Sequence, residues 1–379
     1  MPIQFKKIAD EKNLKGKRVL VRLDLNVPIV GDEVRDDFRI KRSLPTLRML
    51  KERGARTIVI SHIENELTDS LSRVAAYISK SIEIKAFVAK IEDAPAVMKT
   101  MEDGDIIMLE NLRKNPGEKE NDPVFAGRLA SLADIYVNDA FAVSHREHAS
   151  IVSVPKLIPA YAGPLLSTEV EELSKAFNPP RPFLFILGGA KFDTKLPLIE
   201  KFLQIADYVF VGGALSNDIY KEKGYEIGRS VVAKVRINLK HIEQSPKLIV
   251  PSDVMVENPL EKVVKSPDHV GLGDKIMDSG PRTISELADL LNEMEFVLWN
   301  GPLGEYEKGF GKGTEDLARA IAESGARSVI GGGDTIAVVS KLGLLDKFTF
   351  ASTGGGAMIE FLAKGTLPGI DALEASQNS

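Results

Sequence analysis

Three glycine-rich turns follow strand-like apolar runs, and they are the part of the sequence with the clearest chemical meaning. They lie at 188–191, 331–335 and 353–356. Glycine lets backbone N–H groups approach an anion closely, and a helix N-terminus favours negative charge. A single turn of this kind is more simply interpreted as a helix cap. Three of them, with Lys191 and Asp334 beside them, predict a site for a polyphosphate.

The first half of the chain places a different set of polar residues after its strand-like runs. They are Arg22, Asp24, Asn26, Ser61, His62, Glu110, Asn111, Arg113, Asn138, Asp139, His145, Arg146 and His148. Arg39 begins the helical segment that follows the first strand. Ligands of open α/β sheets gather beyond the carboxyl ends of the strands. Arginine, histidine and asparagine concentrated there predict a pocket for an anionic substrate that carries phosphate or carboxylate groups.

The second half is typical of a nucleotide site. Lys191 and Lys195 are four residues apart, so both fall on one face near the start of a helix. Further strand ends carry Gly212, Gly213, Asp253, Asn300, Gly301, Pro302 and the turn at 352–356. An oxygen-bound magnesium at Asp334 suits this chain better than a zinc site at His145 and His148, because those two histidines lack metal-ligand spacing.

The elements that must position these residues alternate between strands and helices in both halves. Helical patterns occur at 44–53, 70–82 and 167–177. Short apolar runs predict strands at 18–23, 57–60, 84–88, 106–109, 135–137, 183–187, 208–211, 248–250, 296–299, 328–330 and 348–351. Near-continuous apolar strands between helices indicate parallel sheets covered on both faces. The predicted fold class is α/β, with two doubly wound, Rossmann-like domains that join near 165–182.

Composition limits the remaining possibilities. A chain of 379 residues is too long for one typical core, which also favours two domains. Its net charge of −5 favours neither nucleic acid nor an anionic membrane as a partner. The chain has no cysteine, which excludes disulfides and zinc–thiolate sites. Because no apolar segment resembles a signal core or a membrane span, we expect a cytoplasmic protein.

The order of these motifs resembles the phosphoglycerate kinase family along nearly the whole chain. The matching stretches lie at 21–28, 109–113, 137–141 with 145–146, 187–191, 297–304, 331–335 and 352–357. The resemblance implies two domains that face each other across a cleft and are joined by a helical hinge. It implies an N-terminal acceptor domain at 1–165, a nucleotide domain at 166–361, and a C-terminal tail at 362–379 that returns to the first domain.

The resemblance also implies the activity. This would be reversible phosphoryl transfer between 1,3-bisphosphoglycerate with ADP and 3-phosphoglycerate with ATP, in glycolysis and gluconeogenesis, by a monomer that uses Mg²⁺. The implied acceptor-binding residues are Asp24, Asn26, Arg39, His62, Arg113 and Arg146. The implied nucleotide-binding residues are Gly189, Lys191, Lys195, Gly213, Asn300, Pro302, Glu307, Gly332, Gly333, Asp334, Thr335, Gly354 and Gly355. Arg39 and Lys195 would stabilise the transferring phosphoryl group, and Asp334 would hold the magnesium.

Phosphoryl transfer to a carboxylate is consistent with the sequence, which offers no convincing general base. A carboxylate acceptor is already ionised at neutral pH, so no proton has to be removed from it. Phosphoryl transfer then depends on positioning and on charge neutralisation. The separation of the two half-sites implies hinge closure.

One loop departs from the family pattern. After Ser-His the family continues Leu-Gly-Arg-Pro, with an arginine that binds the acceptor's phosphate, whereas this chain has Ile63-Glu64-Asn65-Glu66. Ala142-Val143 also replaces the usual Gly-Thr. Two alternatives therefore stand beside phosphoglycerate kinase: a kinase of another small carboxylate, and a non-catalytic nucleotide-binding relative. Retention of Arg39, Lys195 and Asp334 disfavours the second alternative, because a binding protein has no need of phosphoryl-transfer groups.

Overall fold

The computed structural model describes residues 3–31, 33–64, 68–190, 192–233 and 239–377. The chain divides into two compact units. Unit 1 comprises Met1–Glu171 with Lys364–Ser379, and unit 2 comprises Glu172–Ala363. The chain passes from unit 1 to unit 2 within a single helix, Pro164–Ser174.

Unit 1 contains a six-stranded sheet, a two-stranded hairpin and helices on the connections between strands. Its strands are β1 Arg18–Leu23, β2 Ile29–Val30, β3 Glu33–Val34, β4 Arg56–Ile60, β5 Ala86–Val88, β6 Ile106–Leu109, β7 Ile135–Asp139 and β8 Ala160–Ala162. Its helices up to the crossing into unit 2 are α1 Phe38–Glu52, α2 Ser72–Ile78, α3 Ala94–Met98, α4 Pro116–Lys119, α5 Pro123–Ala130 and α6 Pro164–Ser174.

The large sheet of unit 1 has the strand order β5-β6-β4-β1-β7-β8, and all its pairings are parallel. Strand β1 is central, and its residues from Val19 to Leu23 are buried. The chain winds outward from β1 in both directions, which leaves a crevice where the connections after β1 and β7 diverge. The loop after β1 and the start of α1 are therefore placed at the position in this fold where ligands bind.

Helix α1 shows why these segments adopt their structure. Ile40, Leu44, Leu47 and Leu50 recur at helical spacing and are all buried against the sheet. Burial of one apolar face fixes the rotation of the helix, and this rotation orients Arg39 in its first turn.

Unit 2 repeats the scheme with an added small sheet. Its strands are β9 Phe183–Leu187, β10 Tyr208–Val211, β11 Leu248–Ile249, β12 Val254–Glu257, β13 Lys262–Lys265, β14 Lys275–Ser279, β15 Phe296–Asn300, β16 Arg327–Gly331 and β17 Phe350–Ala351. The helices that follow α6 are α7 Phe192–Ile205, α8 Leu215–Glu222, α9 Lys240–Glu243, α10 Pro281–Leu291, α11 Lys312–Glu323, α12 Gly333–Lys341, α13 Gly355–Lys364 and α14 Pro368–Ala375. Single-turn helices lie at Ile8–Asp10, Ile91–Asp93, Leu112–Lys114, Phe141–Val143, Ala149–Ser153, Val154–Lys156, Lys175–Phe177, Pro267–His269, Tyr306–Lys308 and Leu345–Lys347.

The large sheet of unit 2 has the order β11-β10-β9-β15-β16-β17, again with parallel pairings. The α/β fold class with two doubly wound parallel sheets is thus confirmed, and every strand predicted from an apolar run corresponds to one in these sheets. The sequence interpretation missed the antiparallel sheet β13-β12-β14, the hairpin β2–β3 and the edge strand β8.

The last helix, α14, packs within unit 1. Ile370 and Leu373 are fully buried, and the Gly369 N–H donates to the Ser144 carbonyl at 2.8 Å. The Gln4 N–H donates to Glu374 Oε1 at 2.6 Å, so both ends of the chain are held in the same unit. Among the described residues, no helix combines the length and apolarity required to cross a bilayer.

Candidate functional site

The loop after β1 and the first turn of α1 together build one side of the anionic site predicted in unit 1. Arg39 Nη1 donates to the Asn26 carbonyl at 2.8 Å and lies 3.3 Å from Asp24 Oδ2. Asp24 is buried, and its Oδ1 accepts from the Asn26 N–H at 3.2 Å. The Asp24 carboxylate therefore orients both Arg39 and the Asn26 backbone.

A buried arginine–histidine pair lies beside this loop. Arg22 Nη2 is 3.2 Å from His62 Nδ1, and Arg22 Nε donates to Ser150 Oγ at 3.0 Å. Burial lowers the pKa of His62 well below its ordinary value, and the positive charges of Arg22, Arg113 and Arg39 lower it further. The imidazole is therefore neutral. Because its Nδ1 accepts from Arg22, the ring hydrogen is assigned to Nε2, which makes that atom a donor.

Arg113 lies shortly after β6, in the single-turn helix Leu112–Lys114. Its charge is partly neutralised by Glu64 of the loop at 63–66 that departs from the family pattern. Its Nη1 forms a close ion pair with Glu64 Oε2. The Glu64 backbone N–H donates to Asn26 Oδ1 at 2.9 Å, and this bond attaches the altered loop to the loop after β1. Arg113 Nε is buried and has no hydrogen-bond partner in the part of the chain that the structure describes. Asn65 and Glu66 lie outside the described residues.

Five of the six acceptor-site residues predicted from the sequence lie in this one cluster. They are Asp24, Asn26, Arg39, His62 and Arg113. Arg146 differs from them because it is exposed, and its backbone N–H donates to the Val143 carbonyl. Burial lowers the pKa of the half-buried His148 to about 4, and the charges of Arg113, Arg22 and Arg146 contribute in that order. The cluster therefore concentrates arginine charge around neutral imidazoles.

The glycine turns of unit 2 lie together at the carboxyl edge of its large sheet. The Gly188 N–H donates to the Asn300 carbonyl at 2.8 Å, and the Gly189 N–H donates to the Pro302 carbonyl at 2.7 Å. Gly213 has φ +62°, and a Cβ atom there would lie 2.7 Å from the Gly189 nitrogen. Only glycine permits the loops after β9, β10 and β15 to approach so closely.

Helix α12 begins at the second glycine turn. Gly332 has φ +99°, a conformation that favours glycine, and the helix starts at the next residue. Asp334 is exposed in the first turn. Thr335 is buried, and its Oγ1 accepts from the Gly301 N–H at 3.1 Å. The first N–H groups of α12 lack intrahelical partners, which suits them to an anion.

Lys195 approaches this edge from α7. Its Nζ donates to the Gly188 carbonyl at 2.6 Å, so the ammonium group lies at the first glycine turn. Lys191, the other lysine predicted for this site, lies outside the described residues.

The turns enclose a cavity of about 670 Å³. Among the predicted nucleotide residues, the cavity is lined by Gly189, Lys195, Gly213, Asn300, Pro302, Glu307, Gly332, Gly333, Asp334 and Gly355. Thr335 and Gly354, the other described residues of that set, are buried. A cavity of this size accommodates a cofactor-sized ligand.

Sequence reasoning missed part of the cavity wall. The cavity is also lined by Asn217 of α8 and by Lys275, Asp278, Ser279 and Glu305. Burial raises the pKa of Asp278 to about 7, although the backbone N–H groups of Gly313 and Ser279 donate to its carboxylate. Three of these residues belong to β14, and the sequences of β12, β13 and β14 (VMVE, KVVK and KIMDS) have no apolar–polar alternation that could have revealed this wall.

The residues of this cavity could bind a magnesium ion only together with a ligand that supplies further oxygen atoms. Among the described residues no cluster of three His, Cys, Asp or Glu side chains could hold a metal ion. Asp334 supplies one exposed carboxylate beside the glycine turns. Magnesium is usually bound by one or two carboxylates together with substrate phosphates and water, and Asp334 agrees with that donor set.

Comparison with known proteins identifies the same family over nearly the whole chain. A family model described as phosphoglycerate kinase matches residues 9–365. Proteins named phosphoglycerate kinase from Clostridium kluyveri and Rubrobacter xylanophilus are each 40% identical, over 97% of this chain and 98% of theirs. Phosphoglycerate kinase structures from Coxiella burnetii and Pyrococcus horikoshii are 37% and 31% identical, with TM-scores of 0.83 and 0.86. Each of the two matches covers 98% of this chain and 99% of the chain in the solved structure.

Proposed function

Since the chain belongs to the phosphoglycerate kinase family, we propose that unit 1 binds 3-phosphoglycerate or 1,3-bisphosphoglycerate and that unit 2 binds ATP or ADP. Members of this family are phosphotransferases with a carboxyl group as acceptor. The family match does not favour a kinase of another carboxylate or a non-catalytic relative.

One observation supports the nucleotide assignment most directly. The cavity of unit 2 combines glycine turns, the Lys195 ammonium group and the exposed Asp334 carboxylate at one sheet edge. The glycine N–H groups and the start of α12 would bind the phosphates, Pro302 would contact the nucleotide, and Glu307 would contact its ribose. Lys195 would neutralise the charge that develops on the transferring phosphoryl group.

On the acceptor side, Arg39, Arg113 and Arg146 would bind the anionic groups of 3-phosphoglycerate. His62 is neutral, and its Nε2–H would donate a hydrogen bond. Asp24 holds Arg39 in place through their 3.3 Å ion pair. The acceptor carboxylate is ionised at neutral pH, so these residues have only to position it and balance its charge.

Asp334 would hold the magnesium ion, which when bound neutralises phosphate charge during transfer. The remaining attributes stay predictions: a cytoplasmic monomer whose two units close by a hinge motion to bring their sites together. A monomer is sufficient because one chain carries both sets of residues.

A coupled assay with MgATP and 3-phosphoglycerate tests the proposal, with glycerate as the matched control that lacks the phosphate. We expect turnover with 3-phosphoglycerate and little with glycerate. Efficient turnover with glycerate, or no turnover with either compound, would contradict the acceptor assignment.

Replacing Asp334 by Asn should abolish activity at ordinary magnesium concentrations without unfolding the protein, because an amide is a poorer ligand for a hard cation. Circular dichroism checks the fold, and a magnesium titration of the rate checks the metal site. Near-normal activity of Asp334→Asn would place the metal elsewhere.

A further inference from the structure

A buried carboxylate lies in unit 1 close to the arginine that contacts His62. Glu118 of α4 has no exposed surface. Its Oε1 accepts from the Ser150 hydroxyl at 2.6 Å, and its Oε2 accepts from the Ser150 backbone N–H at 3.0 Å. A charged group is stable in a protein interior only where hydrogen bonds and an opposite charge compensate for the lost hydration. Arg22, which is also fully buried, supplies such a charge.

Ser150 connects Glu118 to Arg22. Arg22 Nε donates to Ser150 Oγ at 3.0 Å, so the hydroxyl accepts from the arginine and donates its own hydrogen to Glu118. The Tyr136 hydroxyl donates to the Ser150 carbonyl at 2.6 Å. Both the backbone and the side chain of Ser150 are therefore held in place.

Glu118 also offsets the cost of burying the guanidinium. Burial lowers the pKa of Arg22, and among the charged groups Glu118 opposes this shift most, followed by Asp24. A guanidinium stays protonated in proteins, so it is buried favourably only beside compensating groups. Glu118 therefore favours a guanidinium that lies next to Ser150.

The opposite side of the same guanidinium faces the acceptor site. Arg22 Nη2 lies 3.2 Å from His62 Nδ1, and Arg22 Nη1 donates to the Leu23 carbonyl at 2.5 Å. With the bond to Ser150, all three nitrogens of this planar group are engaged, which fixes its orientation. That orientation sets the tautomer of His62, because Nδ1 has to accept and the ring hydrogen is left on Nε2.

We propose that Glu118 and Ser150 are positioning residues of the acceptor site, which act through Arg22 to hold His62 in the tautomer that can donate from Nε2 to an anionic substrate. Neither residue has exposed surface, so both act through Arg22 and not on the substrate itself. This inference rests on the proposed acceptor site.

The kinetic test removes the two residues one at a time. In Ser150→Ala we expect the KM for 3-phosphoglycerate to rise about 2- to 10-fold, the effect of one typical hydrogen bond, and the KM for ATP to stay unchanged. Glu118→Gln keeps the shape of the side chain, removes its charge and should raise the same KM. In both variants kcat should change little, because His62 is proposed to bind the substrate.

The tautomer of His62 is a readout that a merely structural role would not change. Long-range ¹H–¹⁵N correlation spectra of the free protein, labelled at histidine, distinguish the two ring nitrogens, and His62→Asn identifies the signals of His62. The wild type should show the Nε2–H tautomer. Ser150→Ala and Glu118→Gln should each show a measurable share of the Nδ1–H tautomer.

Ser153→Ala is the matched control. Ser153 ends the same single-turn helix, Ala149–Ser153, but its hydroxyl donates to Asn121 Oδ1 at 2.7 Å. This variant should leave both KM values and the His62 signals as in the wild type.

The inference and the proposed function can fail separately. An unchanged His62 tautomer in the variants would overturn the inference, even if their stability or acceptor KM changed. An unchanged acceptor KM in active variants would also overturn it and leave the proposed function intact. A wild-type protein without turnover would contradict the proposed function, and the spectra of the free protein would then test the positioning alone. If the variants do not fold, a wild-type His62 in the Nδ1–H tautomer would overturn the inference, and the Nε2–H tautomer would support it.

Discussion

At the residue scale, the types of functional side chain could be predicted from the sequence, but their pairing could not. Arg39, His62 and Arg113 follow predicted strands or begin a predicted helix, so parallel-sheet topology was enough to group them. The ion pair of Arg113 with Glu64 joins two loops that are 49 residues apart. Such a contact depends on loop geometry, which has no periodic signal in the sequence.

Replacing Glu64 by Gln should lower the KM for 3-phosphoglycerate and leave the KM for ATP unchanged. In the proposed acceptor site, Glu64 would compete with the substrate for Arg113. The Glu64 side chain is 68% exposed, so solvent screens the pair and the effect should be modest. Exposed pairs contribute about 0.2–1 kcal/mol, which corresponds to a decrease in KM of about 1.5- to 5-fold.

Glu92→Gln is the control for this change, since Glu92 is another exposed carboxylate beside an arginine, Arg128. It should not alter either KM. A raised acceptor KM in Glu64→Gln would mean that Glu64 supports the site rather than competing for it. The companion prediction, that Asn65→Arg lowers the acceptor KM, concerns a residue outside the described part of the chain and rests on the sequence alone.

Lys195→Ala should reduce kcat by about 10²–10³-fold and change nucleotide affinity only a few-fold. The Lys195 ammonium group lies at the first glycine turn, and charge that acts in the transition state affects kcat rather than ground-state binding. Steady-state kinetics with a direct nucleotide-binding measurement would check this. Lys312→Ala removes an exposed lysine that pairs with Asp316 and should be neutral. A normal kcat in Lys195→Ala would exclude Lys195 from the mechanism.

At the element scale, the strands of the two parallel sheets were predictable because fully buried strands are continuous apolar runs. Strand β9, from Phe183 to Leu187, is buried throughout. Buried and half-buried residues alternate along β12, and exposed and half-buried residues alternate along β13. Each strand has only four residues, which is too short for a clear period in the sequence. The wall that carries Ser279 therefore became visible only in the structure.

Asp139 joins two helices that lie far apart in the sequence. Its Oδ2 accepts from Thr46 of α1 at 2.5 Å, and its Oδ1 accepts from the Leu166 N–H of α6 at 3.0 Å. Burial raises the pKa of this carboxyl to about 6. The protonated form is therefore favoured in the folded state relative to the unfolded state. The resulting stabilisation is complete below about pH 4 and is lost as the pH rises through about 6.

Asp139→Asn should remove this pH dependence. The difference in unfolding free energy between wild type and variant should fall by about 2–3 kcal/mol from pH 4 to pH 7. Urea denaturation of both proteins across this range measures it. Thr46→Val removes a hydrogen bond that lowers the pKa of Asp139. In this variant the loss of stability with rising pH should therefore occur at higher pH. Parallel stability curves for wild type and Asp139→Asn would refute the assignment.

At the scale of the whole molecule, the chain returns to unit 1 after completing unit 2, and α14 contributes to the core of unit 1. Leu373→Ala should destabilise unit 1 by about 2–5 kcal/mol, the usual cost of removing a fully buried leucine. Nucleotide binding, which we propose for unit 2, should be retained. Leu260→Ala at a residue that is 96% exposed is the matched control and should change stability little. If Leu373→Ala lowers the free energy of unfolding by less than about 1 kcal/mol, the surrounding side chains must fill the space that the leucine leaves.

We propose that one chain carries both the acceptor site and the nucleotide site of a carboxylate phosphotransferase. The most direct measurement incubates the full chain with ATP labelled at the γ-phosphate, magnesium and 3-phosphoglycerate, with hydroxylamine present to trap an acyl phosphate as its hydroxamate. We predict hydroxamate of 3-phosphoglycerate in proportion to the ADP formed, and none without magnesium or acceptor. Hydroxylamine releases the transferred phosphate as inorganic phosphate when it forms the hydroxamate, so the hydroxamate is the product that decides. ADP formation without any hydroxamate would contradict the assignment of a carboxylate acceptor.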